Sequence, residues 1–295
     1  MSHCRVPASM ALDDGRTLSW YEYGDPAGCP CLFLPAAATS GRAGAALAAA
    51  ATAGGIRLVS LDRPGLGHSD PAPQRLLVEW VGDAEQLVDH LGLDRFGVLG
   101  HSAGGAYALA IARRLADRVS RTVVGAGSAP YSEDWSRAEG MMSRMSRLYY
   151  GLALRAPRLF GALYVLSAPR SAKAVDRFMA MVTRGKSPDA QFAREHPDET
   201  RASMEALADG CRQGGAGPTK DIVALCRPWG FDLRDVTGPV EWWHGEQDTN
   251  VSPQSGREIT SRLPHVTTHF VDGGHYVLFG HATDVMSTLR GKEAV

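Results

Sequence analysis

The 295-residue chain carries 31 Lys and Arg against 32 Asp and Glu, a formal net charge of -1, with 44% hydrophobic and 7% aromatic residues. So even a balance gives no electrostatic reason to expect nucleic acid or an anionic membrane as partner, and a small molecule is the expected ligand. The length allows one large α/β domain or two small ones, either of which would bury a sizeable core.

Residues 1–20 contain no apolar core of signal-peptide length, and no later stretch runs uncharged long enough to cross a bilayer, which predicts a soluble, cytoplasmic protein with no membrane partner. Val6 to Leu12 and Arg16 to Tyr23 flank Asp13-Asp14-Gly15 and read as two strands of a tight hairpin. Strands are then expected at Cys31 to Leu34, Ile56 to Leu61, Phe96 to Leu99 and Arg121 to Ala126. Between them lie helical stretches near Ala43 to Ala53, Leu76 to Leu91 and Ala103 to Leu115. That alternation predicts an α/β fold with a mostly parallel central sheet covered on both faces.

From about Tyr131 to Arg227 the pattern changes to helical segments rich in Met, Arg and aromatic residues, broken at Pro157, Pro169, Pro188 and Pro197. After Pro239 the alternation resumes with Val240 to His244, a helix near Pro253 to Leu263, Val266 to Val271 and a last helix from Tyr276 to Arg290. The expected organisation is a core of residues 1–130 and 228–295, with an all-helical unit, 131–227, inserted in it. Cys4, Cys29, Cys31, Cys211 and Cys226 are odd in number and lack paired CxxC spacing, so free thiols are expected rather than disulfides or a zinc site.

Gly100-His101-Ser102-Ala103-Gly104 fits G-x-S-x-G between an expected strand and an expected helix, the context in which that pattern sets a serine on a sharp turn. Read alone, Ser102 is also a plausible N-cap in a glycine-rich turn. A serine hydroxyl needs a base to act as a nucleophile, and the base needs an orienting acid. Both follow in order: Val240 to His244 runs into a turn ending at Asp248, and Val271 into Asp272-Gly273-Gly274-His275. Each candidate stands just past a strand's carboxyl end, where distant parts of an α/β chain converge. Glu246 and Asp272 are alternative acids. His244, His265, His269 and His281 are alternative bases, while His101 is expected to pack.

With these motifs the chain resembles the α/β-hydrolase-fold serine hydrolases over nearly its whole length. Leu61-Asp62-Arg63-Pro64-Gly65-Leu66-Gly67-His68-Ser69 resembles the turn after that family's fourth strand, and Trp229-Gly230-Phe231-Asp232 the return from its helical lid. The resemblance implies a catalytic triad of Ser102, Asp248 and His275. It also implies an oxyanion hole from the backbone N–H of Ala103 and of a residue after the third strand. There the family usually has His-Gly, and this chain has Ala36-Ala37, with Ala38 at the donor position, or Ala37 if the loop is shifted by one. An alanine that must take positive φ puts the loop conformation in question.

The implied activity is acyl-enzyme hydrolysis of an ester, thioester, lactone or related acyl small molecule, without cofactor or metal. The same groups could run acyl transfer, cyclisation, perhydrolysis or C–C cleavage, and a non-catalytic ligand-binding protein is the third reading. Met141, Met142, Met145, Tyr149 and Tyr150 recur at near-helical spacing in the insertion, as do Phe178, Met179 and Met181. Such stripes usually pack helices together. Met141, Met145 and Tyr149 are the candidates for lining an adaptable apolar pocket over Ser102, suited to a hydrophobic substrate.

Overall fold

The computed structural model describes residues 6–73, 76–129 and 144–291, with only the backbone of Arg144 and Met145. The expected hairpin opens the sheet: β1 (Ala8–Ala11) pairs antiparallel with β2 (Thr17–Gly24) across a turn in which Gly15 takes φ 83°. β3 (Cys29–Leu34), β4 (Ile56–Leu61), β5 (Phe96–His101), β6 (Val119–Gly125), β7 (Val240–Gly245) and β8 (Val266–Val271) complete an eight-stranded sheet. Its order is β1-β2-β4-β3-β5-β6-β7-β8, parallel from β4 through to β8. The central strands read as apolar runs because both faces are covered: all six residues of β5 are buried.

One face is covered by α2 (Val81–His90) and α3 (Gly104–Arg114), which pack Leu87, Val88, Leu109 and Ile111 against Leu32, Leu34 and Val98. The other is covered by α1 (Ala48–Gly54) and the C-terminal helices, joining Ala51, Leu278, Met286 and Leu289 to Phe33, Leu58 and Val123. Three expected helices are divided. Gly41–Leu47 is 3-10 before α1 begins, because a Cβ on Gly41 or Gly44 would press on Ser60 and on Tyr21 or Tyr23, so this turn lies hard against the sheet. Leu77–Trp80 is likewise 3-10 ahead of α2. The last helix breaks at His281 into α11 (Val277–Gly280) and α12 (Ala282–Arg290).

Between β6 and β7 the described chain is helical: α4 (Arg144–Arg155), α5 (Pro157–Ser167), α6 (Ala172–Val182), α7 (Pro188–Glu195), α8 (Pro197–Gly210) and α9 (Ala216–Leu225). Pro157, Pro188 and Pro197 open helices, where a missing N–H costs nothing, and Pro253 does the same for α10 (Pro253–Thr260). Among the described residues no helix is long and apolar enough to cross a membrane.

Candidate active site

Ser102 follows β5 with φ 54°, a left-handed conformation that costs a side-chain-bearing residue about 1–2 kcal/mol. The turn is fixed on both sides: the Ser102 N–H donates to the Gly125 carbonyl at 2.8 Å, and the Ser102 carbonyl accepts the Gly105 N–H at 2.9 Å. A Cβ on Gly100 would stand 2.5 Å from the Gly104 carbonyl oxygen, and one on Gly104 only 1.9 Å from that of Leu34. Backbone is what approaches, so neither position tolerates a side chain. The serine is left half-buried at the carboxyl end of the sheet. Ala103 begins the turn into α3, and among the described residues its N–H has no acceptor.

Asp248 and His275 come together from the ends of β7 and β8. Asp248 Oδ2 lies 2.8 Å from His275 Nδ1, while Oδ1 accepts the N–H groups of Asn250 at 2.8 Å and Val251 at 2.9 Å. Burial alone would raise the Asp248 carboxyl, but the His275 charge and these hydrogen bonds outweigh it and hold its pKa below the ordinary value. Burial would lower His275, and the Asp248 carboxylate outweighs that, raising it above its ordinary 6.5. With Nδ1–H donated to Asp248, Nε2 is the nitrogen left to take a proton.

Four of the alternatives are engaged elsewhere. Glu246 pairs with Arg257 at 2.6 Å on the surface, and Asp272 accepts from the Gln247 side chain. His244 lies fully buried behind Asp248, its Nδ1 accepting from the Trp242 indole at 3.3 Å and its Nε2 3.0 Å from the Val251 carbonyl; burial lowers its pKa and keeps it neutral. His269 stacks on Trp243 with ring centres 4.1 Å apart.

Two neighbours support His275. His101, which burial holds neutral with a pKa pushed down to about 3, places Nε2 3.1 Å from the His275 carbonyl, tying that histidine to the residue before Ser102. Asp189, in the first turn of α7, accepts the Tyr276 N–H at 3.0 Å, and its carboxylate adds to the field that raises His275. A Cβ on Gly274 would meet Asp189 Oδ1 at 2.3 Å, so the second glycine of Gly-Gly-His makes room for this carboxylate.

The loop after β3 carries the other expected donor. Ala38 does take positive φ, 55°, but its N–H donates to Asp221 Oδ2 at 2.8 Å and is already engaged. Asp221, on α9, is the hub of a buried network. Arg63 approaches it through Nε at 2.8 Å and Nη2 at 2.9 Å, and the Tyr107 hydroxyl donates to it at 2.9 Å. Arg63 also donates to the carbonyls of Pro35 and Ala36, each at 2.7 Å. From α8, Gly210 backs onto the Ala38 carbonyl, and the Ala206 carbonyl accepts the Ser40 N–H at 3.1 Å. Ala37 is half-buried, and among the described residues its N–H has no acceptor.

Of the apolar candidates, Met141 lies outside the described residues, as does Met142, and nothing is described of the Met145 side chain. Tyr149 packs edge-on to Phe160 with ring centres 4.8 Å apart, in a cluster with Tyr150 and Tyr164 that reaches Ala37 and Ala38.

A sequence profile described as the alpha/beta hydrolase fold matches residues 32–282. The chain belongs to the alpha/beta hydrolase fold family. Among its relatives, the chain is 24% identical over 249 residues to abhydrolase domain-containing protein abhd-5.2 of Caenorhabditis elegans, covering 79% of this chain and 52% of that one. It therefore spans about half the length of the nematode relative. It is 28% identical over 228 residues to the putative carbamate hydrolase RutD of Caulobacter sp. (strain K31), covering 75% and 74% of the two chains. An alpha/beta hydrolase fold protein from Nakamurella multipartita superposes with a TM-score of 0.68 at 23% identity, covering 97% of this chain and 99% of that one, a likeness of fold.

Proposed function

We propose that this alpha/beta hydrolase is a serine hydrolase acting on an ester, thioester, lactone or related acyl compound through Ser102, His275 and Asp248. The observation that carries the reading is the 2.8 Å Asp248–His275 hydrogen bond at the strand ends, tethered through His101 to a serine held in a left-handed turn. Ser102 Oγ attacks the carbonyl as His275 Nε2 takes its proton. The tetrahedral oxyanion collapses, the leaving group departs with that proton, and water repeats the sequence on the acyl-enzyme to return free Ser102 and the acid.

The oxyanion donors in this reading are the N–H groups of Ala103 and Ala37, neither of which has an acceptor among the described residues. No cofactor takes part. The aromatic cluster of Tyr149, Tyr150, Phe160 and Tyr164 beside Ala37 favours a hydrophobic acyl or alcohol group. A second reading, in which the same groups run acyl transfer or C–C cleavage, is favoured by the Ala38 amide being engaged with Asp221.

A fluorophosphonate probe should label the wild-type protein at Ser102, Ser102→Ala should not be labelled, and Asp248→Asn should lower turnover of a small activated ester by roughly 10⁴-fold through loss of imidazole orientation. Equal labelling of wild type and Ser102→Ala would remove Ser102 from the reaction. Rapid labelling without ester turnover would favour the second reading.

A further inference from the structure

We propose that the outer face of the helical insertion, formed by α4 and α5, docks on an anionic lipid surface. The near-zero net charge of the whole chain hides a local excess. From Arg144 to Arg170 the sequence has five arginines, Arg144, Arg147, Arg155, Arg158 and Arg170, and no Asp or Glu. Among the described residues neither Arg155 nor Arg158 has a carboxylate partner, and both are exposed.

The same helices carry the largest concentration of exposed aliphatic side chains on the described molecule: Leu148 is 68% exposed, Leu159 53%, Leu163 48% and Leu166 78%. Leu159, Leu163 and Leu166 recur at i, i+4 and i+7, so they form one stripe along α5, while Phe160 on the other side is buried in the aromatic cluster over Ala37 and Ala38. The leucine stripe lies outside that cluster, and a contiguous apolar surface rimmed by like charges marks an interaction face.

Beside the stripe, Arg158, Ala162 and Val165 of α5 and Lys220 and Val223 of α9 line an apolar groove of about 630 Å³ that Arg227 also borders. Its cations face it without a carboxylate among the described residues; Lys220 Nζ donates to the Ala72 carbonyl, which leaves its charge unneutralised. Apolar stripe, arginine rim and cation-edged groove together match an amphiphile layer with negative headgroups, into which leucines insert while arginines reach up to the charged plane. A second copy fits worse. A two-fold contact would set this arginine face against itself, whereas an anionic surface pairs with Arg155 and Arg158.

The test uses the whole chain and sedimentation with phosphatidylglycerol or phosphatidylcholine vesicles, read as bound protein, so it stands apart from the serine chemistry. Wild type should pellet with phosphatidylglycerol, less so as salt rises, and not with phosphatidylcholine. Leu159→Ser/Leu163→Ser/Leu166→Ser, and separately Arg155→Glu/Arg158→Glu, should each weaken that binding at least tenfold while keeping the wild-type melting midpoint and Ser102 labelling. Failure of wild type to pellet with phosphatidylglycerol overturns the proposal. So does equal pelleting by wild type and a folded variant, or a wild-type dimer that the leucine variant dissociates without any vesicle binding.

Discussion

Asp221→Asn isolates the contribution of the insertion to the proposed oxyanion loop. The Asp221 carboxylate accepts four hydrogen bonds: Arg63 Nε and the Tyr107 hydroxyl on Oδ1, Arg63 Nη2 and the Ala38 N–H on Oδ2. Asparagine keeps the shape but offers one oxygen. Whichever way its amide turns, an NH2 faces two donors. Arg63 and Asp221 have side-chain exposures of 1% and 3%, so the guanidinium would be left buried and charged without its counter-ion. Breaking such a pair costs about 3–5 kcal/mol. At about 2–4 °C per kcal/mol for a domain of this order of size, the melting midpoint should fall by on the order of 10 °C.

Activity should respond separately. Without its acceptor, the Ala38 N–H no longer holds the left-handed turn, and the preceding Ala37 amide loses its aim. Loss of one oxyanion donor costs about 10²–10³ in kcat with little change in KM. The assay is kcat and KM on a small activated ester well below the melting midpoint, beside fluorophosphonate labelling to count intact serines. Replacing both partners by apolar residues, Arg63→Met/Asp221→Leu, should recover stability relative to Asp221→Leu alone, without recovering kcat. Wild-type midpoint and kcat in Asp221→Asn would refute the positioning role outright.

Three further outcomes follow from the same geometry. A base must be neutral, so kcat/KM should fall as pH drops through the His275 pKa, which Asp248 and Asp189 hold above the ordinary value; Asp189→Asn should therefore move that acid limb to lower pH, and an unmoved limb would detach Asp189 from the base. Gly104→Ala should fail to accumulate as folded protein, since its Cβ would lie 1.9 Å from the Leu34 carbonyl oxygen, backbone that cannot move aside; a wild-type melting curve would contradict that fit. Ala38→Gly relieves about 1–2 kcal/mol of left-handed strain and loses about 0.4–1 kcal/mol to unfolded-chain entropy, so midpoint and kcat should both stay near wild type, and a large gain in kcat would show that the alanine had misaimed the loop.

The sheet was legible because its strands obey local rules. β4 and β8 run over the residues that their apolar runs mark, and the Asp13-Asp14-Gly15 hairpin needs only its turn residues. Helix interiors were less legible, since Gly41 and Gly44 tighten a turn through contacts with Ser60 and Tyr23 from other strands. Charge shows the same limit. Averaged over the chain it argues against an anionic surface as partner, whereas the balance over residues 144–170 is wholly positive.

At the candidate site, Ser102, Asp248 and His275 could be named because each ends a strand in a short motif. What holds them could not. Asp189 and Asp221 lie in helices of the insertion with no pattern to mark them, and they reach Tyr276 and Ala38 from 87 and 183 residues away in sequence. Arg63 lay inside a recognised turn, yet nothing local tells that its guanidinium spans Pro35, Ala36 and Asp221. The absent His-Gly pattern thereby acquires a physical explanation. A glycine lets a loop take positive φ at no steric cost, and here alanine takes it because a buried carboxylate binds its N–H on one side and Gly210 admits its carbonyl on the other. The loop's conformation is thus set by the docked insertion rather than by its own residues, so a change that loosens α8 or α9 should impair the proposed oxyanion donors before it disturbs the Asp248–His275 pair.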